Sequence, residues 1–171
     1  MPSPRINKFE NEEIYFITLT VIDWIPIFTN KECFEIIIEN LKVYSSKYEA
    51  SIIGYVIMIN HIHLLIRSNN TIKFVQSFKS YTTKILLNKI DAEKKSYLIH
   101  SSIYKNKKIW QRTNMPILIY SAKFFNQKLE YIHNNPVEKG YVDKSEEWAY
   151  SSSRNYLNDD HSIMFVNTEY F

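Results

Sequence analysis

Met58-Ile59-Asn60-His61-Ile62-His63-Leu64-Leu65-Ile66 is the stretch on which the fold turns. It follows an apolar run, Ile52 to Ile57, and ends at the polar cluster Arg67-Ser68-Asn69-Asn70. Alternation from His61 onward puts His61, His63 and Leu65 on one face of a strand and Ile62, Leu64 and Ile66 on the other. The second set predicts a core face. The first sets two imidazoles side by side with side chains pointing the same way, as a metal site on a sheet requires. A lone His-x-His pair is more often structural than a ligand pair. A second segment seventy residues on, Tyr131-Ile132-His133-Asn134-Asn135-Pro136, adds a candidate nucleophile and a third ligand.

Outward from that strand, the pattern alternates between sheet and helix. Ile14 to Ile22 is β-branched and aromatic and reads as a first strand, with Trp24 to Phe28 turning out of it around Pro26. Thr29 or Asn30 caps a helix from Lys31 to about Tyr48, in which Phe34, Ile37, Ile38, Leu41 and Tyr44 recur at helical spacing. Ser51 to Met58 is a second strand, and Asn60 marks a tight connection into the histidine strand. Thr71 opens another helix with Ile72, Val75, Phe78, Thr82, Ile85 and Leu86 on its buried side. Asp91 to Lys108 is polar and unpatterned. Pro116 to Tyr120 reads as a last strand, and Ser121 caps a final helix that Pro136 is expected to stop. Residues 1–11 form a loose arm and residues 137–171 a wrapping tail on a single domain spanning residues 1–171. The order β-α-β-β-α-β predicts a ferredoxin-like α+β sandwich, with an additional C-terminal helix carrying Tyr131.

Composition narrows the function classes. Hydrophobic residues make up 45% and charged ones 23%, ordinary values for a globular protein with a real core. Two glycines, Gly54 and Gly140, stand too far apart for a phosphate-cradling loop. The single Cys33 excludes an intrachain disulfide and points to a reducing compartment. No apolar run reaches the ~18 residues of a membrane span, and the polar N-terminus has no signal-peptide core, so the expected location is the cytoplasm. The net charge of +3 is unevenly spread: Arg67 to Arg112 holds eleven Lys or Arg against Asp91 and Glu93, a balance of +9, which leaves −6 elsewhere. Basic residues interleaved with aromatics suit a polyanion with stackable bases. For Lys73 to Lys89 a solvated helix face accounts for the charge equally well. The compact cluster Lys105, Lys107, Lys108, Trp110 and Arg112 is read as a DNA contact, with Trp110 as a stacking platform.

Tyr131 and Asn135 stand four apart on the last helix and share a face. If that face covers His61 and His63, two imidazole nitrogens and one amide oxygen converge on a cation, and such a donor set suits Mg²⁺ or Mn²⁺ acting on phosphate. Histidine must be neutral to ligate, so the site is expected to weaken below about pH 6.5. A tyrosine beside the metal can attack a phosphodiester and store its energy as a covalent phosphotyrosine. The plain alternatives are a hydroxyl-tipped core aromatic for Tyr131 and a helix-end residue for Asn135. His133 faces elsewhere and is read as surface or a phosphate contact. His100 and His161 lie in polar segments and are assigned nothing.

His61-Ile62-His63, Ile109-Trp110-Gln111-Arg112 and Tyr131-Ile132-His133-Asn134-Asn135-Pro136-Val137 together resemble the IS200-like Y1 (HUH) transposases, and within them the REP-associated tyrosine transposase branch. The resemblance spans roughly Glu13 to Tyr156. It implies that His61, His63 and Asn135 bind the metal and that Tyr131 cleaves single-stranded DNA and stays joined to its 5′ phosphate. It also implies hairpin-forming DNA as the partner. Two features depart from the commoner pattern: Ile59 stands where many relatives have a turn-former, and Asn135 where insertion-sequence members often have glutamine. Those members are dimers with the tyrosine helix working in trans, and the resemblance leaves monomer and homodimer both open here. Two readings compete with a metal-dependent single-strand endonuclease and strand transferase. One is a domesticated DNA-hairpin-binding protein without turnover, which has no need of all four site residues. The other is a hydrolase of small substrates, against which the +9 middle segment counts.

Overall fold

The computed structural model describes residues 13–89, 98 and 101–169; the proposed N-terminal arm and most of the polar stretch before residue 101 lie outside them. Strands β1 (Ile14–Thr20), β2 (Ser51–Ile57), β3 (His61–Arg67) and β4 (Ile117–Leu118) form one antiparallel sheet in the order β2-β3-β1-β4. That order is what two interlocked split β-α-β units give, each with a strand of the other between its own two, so the ferredoxin-like α+β sandwich holds. The helices are α1 (Lys31–Lys47), α2 (Thr71–Lys89), the short α3 (Ser102–Asn106), α4 (Ala122–Glu138) and α5 (Ser153–Asn158).

Period-two alternation sorts the sheet into two apolar layers. Tyr15, Ile17, Leu19, Ile62, Leu64 and Ile66 face α1 and α2, whose Phe34, Ile37, Leu41, Phe74 and Phe78 close the larger core. Phe16, Val56, Met58 and Leu65 face the other way and are covered by Phe125, Leu129 and Ile132 of α4. The histidine face of β3 is therefore as buried as its isoleucine face: His61 is 6% and His63 5% exposed. The expectation of one core face is too narrow: the last helix, which the sequence places over the histidines only conditionally, lies across that side of the sheet.

Caps fall where the sequence suggested. Asn30 accepts from the Cys33 amide at 3.0 Å and Ser121 from that of Phe124 at 3.2 Å. Pro136, however, does not stop the last helix. It sits inside α4, which runs on to Glu138. Proline there removes only the amide that would reach Ile132, a loss that a helix's last turn tolerates. The stop comes at Gly140, with φ +70, where the Gly140 amide bonds Val137 O and the Tyr141 amide bonds Pro136 O. This paired closure needs a left-handed residue, which glycine supplies. The last strand is also shorter than expected, two residues rather than five: Pro116 has no amide to offer the ladder at its start, and pairing with β1 covers only Tyr15 and Phe16.

Trp110 requires a correction. It is 4% exposed, packs on Phe28 and Phe78, and donates its indole N–H to Thr82 Oγ1 at 2.9 Å. Backbone bonds from Ile22 to Ile109 O and from Gln111 to Thr20 O stitch this segment beside the end of β1. An indole so enclosed is a core residue and not a stacking platform.

Gly54 lets α4 settle onto the sheet. It follows a bulge at Ile53 in β2, and a Cβ built on it would stand 2.9 Å from Leu129 Cδ1 and 3.4 Å from Leu65 Cδ1. A single methyl can be met by turning Leu129 aside, but a branched side chain must push the helix. Gly54→Val is expected to cost about 1–3 kcal/mol by overpacking, read as a lowered urea midpoint. An unchanged midpoint would show that α4 is not seated on β2 through this gap.

Candidate active site

The β1–β3 register sets the floor of the site. Thr20 pairs with His61, Thr18 with His63 and Phe16 with Leu65, so all six side chains share the face beneath α4. The two imidazole centroids are 4.8 Å apart. Each ring is held by an oxygen on its Nδ1: Asn60 Oδ1 at 2.7 Å for His61 and Thr18 Oγ1 at 2.8 Å for His63. Asn60 is itself oriented, since its Nδ2 donates to Trp24 O at 2.8 Å. A carbonyl oxygen only accepts, so His61 carries its proton on Nδ1 and leaves Nε2 unprotonated, and the ring is also hydrogen-bonded by the Asn135 side chain. The same tautomer on His63 makes Thr18 its acceptor. Ring orientation by such outer partners is what a metal-ligating histidine needs.

The helix α4 forms the wall. Phe125, Leu129, Ile132 and Pro136 point into the sheet, and the adjoining stripe Phe124, Lys128, Tyr131 and Asn135 runs along the rim at spacings of four, three and four. Tyr131 is 41% exposed, and its ring centroid stands 5.1 Å from that of His63 and 6.1 Å from that of Phe16. Asn135, one turn on, is 3% exposed and lies against His61. The structure thus brings His61, His63, Tyr131 and Asn135 together. Lys128 Nζ sits 4.7 Å over the Phe16 ring, with Phe124 at 5.4 Å and Tyr131 at 5.8 Å.

Two buried polar atoms in this cluster have no hydrogen-bond partner, His63 Nε2 and Asn135 Oδ1. Leaving such atoms unpaired costs about 1–3 kcal/mol each. Together with His61 Nε2 they form a neutral nitrogen–nitrogen–oxygen donor set, so the residues present fit a divalent cation. No group of three His, Cys, Asp or Glu capable of holding a metal occurs among the described residues, and the unpaired oxygen beside the imidazoles is the Asn135 amide. Electrostatics agree with the ligating state. Burial first, then the charge of Lys139, pushes His61 down to about 4; burial, His61 and Lys128 push His63 down to about 3. Both imidazoles stay neutral well below the pH 6.5 expected of free histidine.

The other sequence candidates fall elsewhere. Lys105, Lys107, Lys108 and Arg112 are exposed, the first three on and just after α3. His133 is neither surface nor phosphate contact: it bonds Ser152 Oγ at 2.8 Å and packs on Tyr156, and burial pushes it down to about 4. His161 is not unpartnered, for it meets Asn155 Nδ2 and Asp159 Oδ1. Tyr81, an alternative nucleophile eighteen residues after His63 on a lysine-rich helix, stands on α2 against Tyr44, in the layer on the far side of the sheet. Two residues at the site escaped the sequence reading. Trp24 packs edge-on to His61 at 5.6 Å, and Lys128 bridges the rings of the rim. Spacing from Tyr131 was a signal for Lys128; nothing local marked Trp24.

Residues 14–135 match the family described as Transposase IS200 like. The chain belongs to that family. A Haemophilus influenzae protein that carries the name REP-associated tyrosine transposase is 29% identical over 110 residues, 61% of this chain and 60% of that protein. The match therefore spans less than two thirds of that relative's length. Among solved structures, a REP-associated tyrosine transposase bound to a REP hairpin superimposes over 100% of this chain and 95% of its own, with a TM-score of 0.68 at 15% identity. A Deinococcus radiodurans protein named as a transposase aligns over 78% of this chain and 97% of its own, with a TM-score of 0.51 at 14% identity. At these identities the structural likeness establishes the fold of the IS200-like transposase.

Neutral burial of histidine carries a stability consequence. Unfolded histidines protonate near pH 6.5, whereas folded His61, His63 and His133 refuse the proton until about pH 4 or below. Their contribution is fully present above pH 6.5 and is lost as the pH falls toward 4, by up to about 1.4 kcal/mol per histidine per pH unit. Urea unfolding in EDTA is expected to show a clearly lower midpoint at pH 5 than at pH 7. Equal midpoints would mean that these rings are not buried neutral.

Proposed function

We propose that this chain is a single-domain, metal-dependent single-strand DNA endonuclease and strand transferase acting through Tyr131. Its proposed substrate is DNA carrying a hairpin, as in the relative whose structure holds a REP hairpin, and its proposed place is the cytoplasm, on the nucleoid. The observation that carries this reading is the juxtaposition of an exposed tyrosine with two buried, unpaired ligand atoms, Asn135 Oδ1 on the same wall and His63 Nε2 on the floor beneath it.

In this reading His61 Nε2, His63 Nε2 and Asn135 Oδ1 hold Mg²⁺ or Mn²⁺, which when bound supplies Lewis-acid polarisation of a phosphodiester. Asn60 and Thr18 keep the imidazoles in the ligating tautomer. The Tyr131 hydroxyl attacks phosphorus; the new Tyr–O–P bond forms as the bond to the 3′ oxygen breaks. The phenolic proton leaves and the departing 3′ oxygen takes one up, so the step is neutral in protons. The stored phosphotyrosine bond lets a 3′ hydroxyl reverse the step and rejoin strands without an outside energy source.

Tyr131→Phe removes one oxygen from a part-exposed ring, so folding should lose about 1 kcal/mol at most. On a denaturing gel with labelled single-stranded DNA and Mg²⁺ or Mn²⁺, the parent protein is expected to give a covalent band that EDTA abolishes. Tyr131→Phe and the His61→Ala, His63→Ala double variant should give none. A parent that binds the hairpin but never forms the band is the binder without turnover. A band that persists in Tyr131→Phe and disappears in Tyr81→Phe means the nucleophile is Tyr81.

The exposed lysines beside α3 are proposed to grip the DNA backbone. Replacing Lys105, Lys107 and Lys108 by glutamine should weaken binding and flatten its salt dependence, by a log–log slope of about 0.7 for each single-strand phosphate that is no longer neutralised. An unaltered slope leaves those lysines as solvated charges.

A further inference from the structure

The face that carries Tyr131 is longer than the ligand cluster. An unbroken line of contacts runs from Trp24 to His61 (5.6 Å), His63 (4.8 Å) and Tyr131 (5.1 Å), then through Lys128 to Phe124 and on to Tyr120 (4.9 Å). Its two ends are its most exposed rings: Trp24 is 54% and Tyr120 77% exposed, against 41% for Tyr131 between them. They lie toward opposite ends of the sheet. Trp24 sits at the Thr20–His61 end, whereas Tyr120 follows Ile119, whose amide bonds Ile14 O at the Ile14–Arg67 end. Those register positions are six residues apart, about 20 Å along a strand.

Neither aromatic is exposed by accident of a mobile side chain. Trp24 and its neighbour Asp23 both have φ 56, a left-handed conformation that such residues adopt only when the surrounding structure holds them there. Asn60, the residue that orients His61, also holds Trp24 by its carbonyl. Tyr120 is stacked on Phe124 at an interplanar angle of 22°, so its outer face is presented flat to solvent. Between the two ends the rim offers a cation, Lys128, held over three rings.

We propose that Trp24 and Tyr120 are stacking platforms for unpaired DNA bases on the two sides of the phosphate presented to Tyr131, with Lys128 on the backbone between them. A π-face at each end with a positive charge between matches a single strand, whose bases are free to stack, and does not match a duplex. The inference deepens the proposed function and takes its substrate from it. It also assigns to two exposed rings the role that buried Trp110 cannot play.

Trp24 supplies its own reporter. Trp110 is buried, and Trp148 is half-buried with its N–H donated to Ile57 O. The full-length chain is titrated in EDTA with a thymine dodecamer and with the same strand lacking its bases. Quenching of tryptophan emission by the base-bearing strand and not the abasic one is expected, and Trp24→Phe should abolish the quenching while keeping most affinity. Trp24→Leu and Tyr120→Leu should each weaken binding of the base-bearing strand by roughly tenfold, with little change on the abasic strand, and with urea midpoints like the parent's because both side chains are exposed. Equal quenching by abasic DNA, equal losses on both strands, or a parent that binds no single strand overturns the proposal. Covalent-band formation is scored separately on the same proteins. Base-dependent binding without a band leaves the platforms standing and removes the nuclease reading; a normal band without base dependence removes the platforms alone.

Discussion

Strand β3 is paired along both edges and covered on both faces, and everything else in the molecule answers to that enclosure. Two imidazoles in such a place can stay only as neutral, oriented groups, because a charge there would have no water and no counter-ion. The sheet supplies the orientation from its own neighbours: Thr18 across the β1 ladder for His63, and Asn60 at the turn for His61. The wall then arrives from α4, and it can come close because β2 carries no side chain at Gly54. The result is a shallow, rigid floor with ligand atoms turned up toward a tyrosine on the rim.

The rigidity has a division of labour. The layer under α1 and α2 is nearly all aliphatic and aromatic, and it fixes the sheet's shape. The layer under α4 is smaller and gives way at its edge to the polar cluster. Placing reactive groups at the margin of the lesser core keeps their unpaired atoms from undermining the greater one. Ser152 and His133 extend the same margin to the tail, where the Ser152 hydroxyl meets both His133 and the backbone of Tyr55.

Much of this was legible in residue order. Period two through His61 and His63 told which side chains share a face, and the interval of four between Tyr131 and Asn135 told that they share another. Local signals also marked both capping residues. What could not be read was which surfaces the last helix and the tail would cover. Trp110 in a lysine-rich segment carries the composition of a nucleic-acid contact, and only the ladder beside β1 turns it inward. His133 turns inward without a local signal, because its partner, Ser152, lies nineteen residues away in the tail. Pro136 was over-read: a proline near a helix end removes one bond, whereas Gly140 supplies the reversal, and the glycine was the better signal. Trp24 had no sequence signature at all, since its place depends on an unusual backbone turn and on the Asn60 amide contributed from the turn between β2 and β3.

The turn at Gly140 sends the chain back across the molecule, and the returning segment lies along the outer side of β2. There Ile57 and Ser152 donate amides to Tyr150 O and Tyr55 O, and Trp148 adds its indole N–H to Ile57 O. Those bonds occupy the hydrogen-bonding groups that an edge strand otherwise offers to strangers. On the opposite border β4 is two residues long and is preceded by a proline that cannot donate. Among the described residues neither border presents a long open ladder, so this sheet resists growing by recruitment of a second chain's strand, and a protein rich in β-branched residues is guarded against fibre-like association.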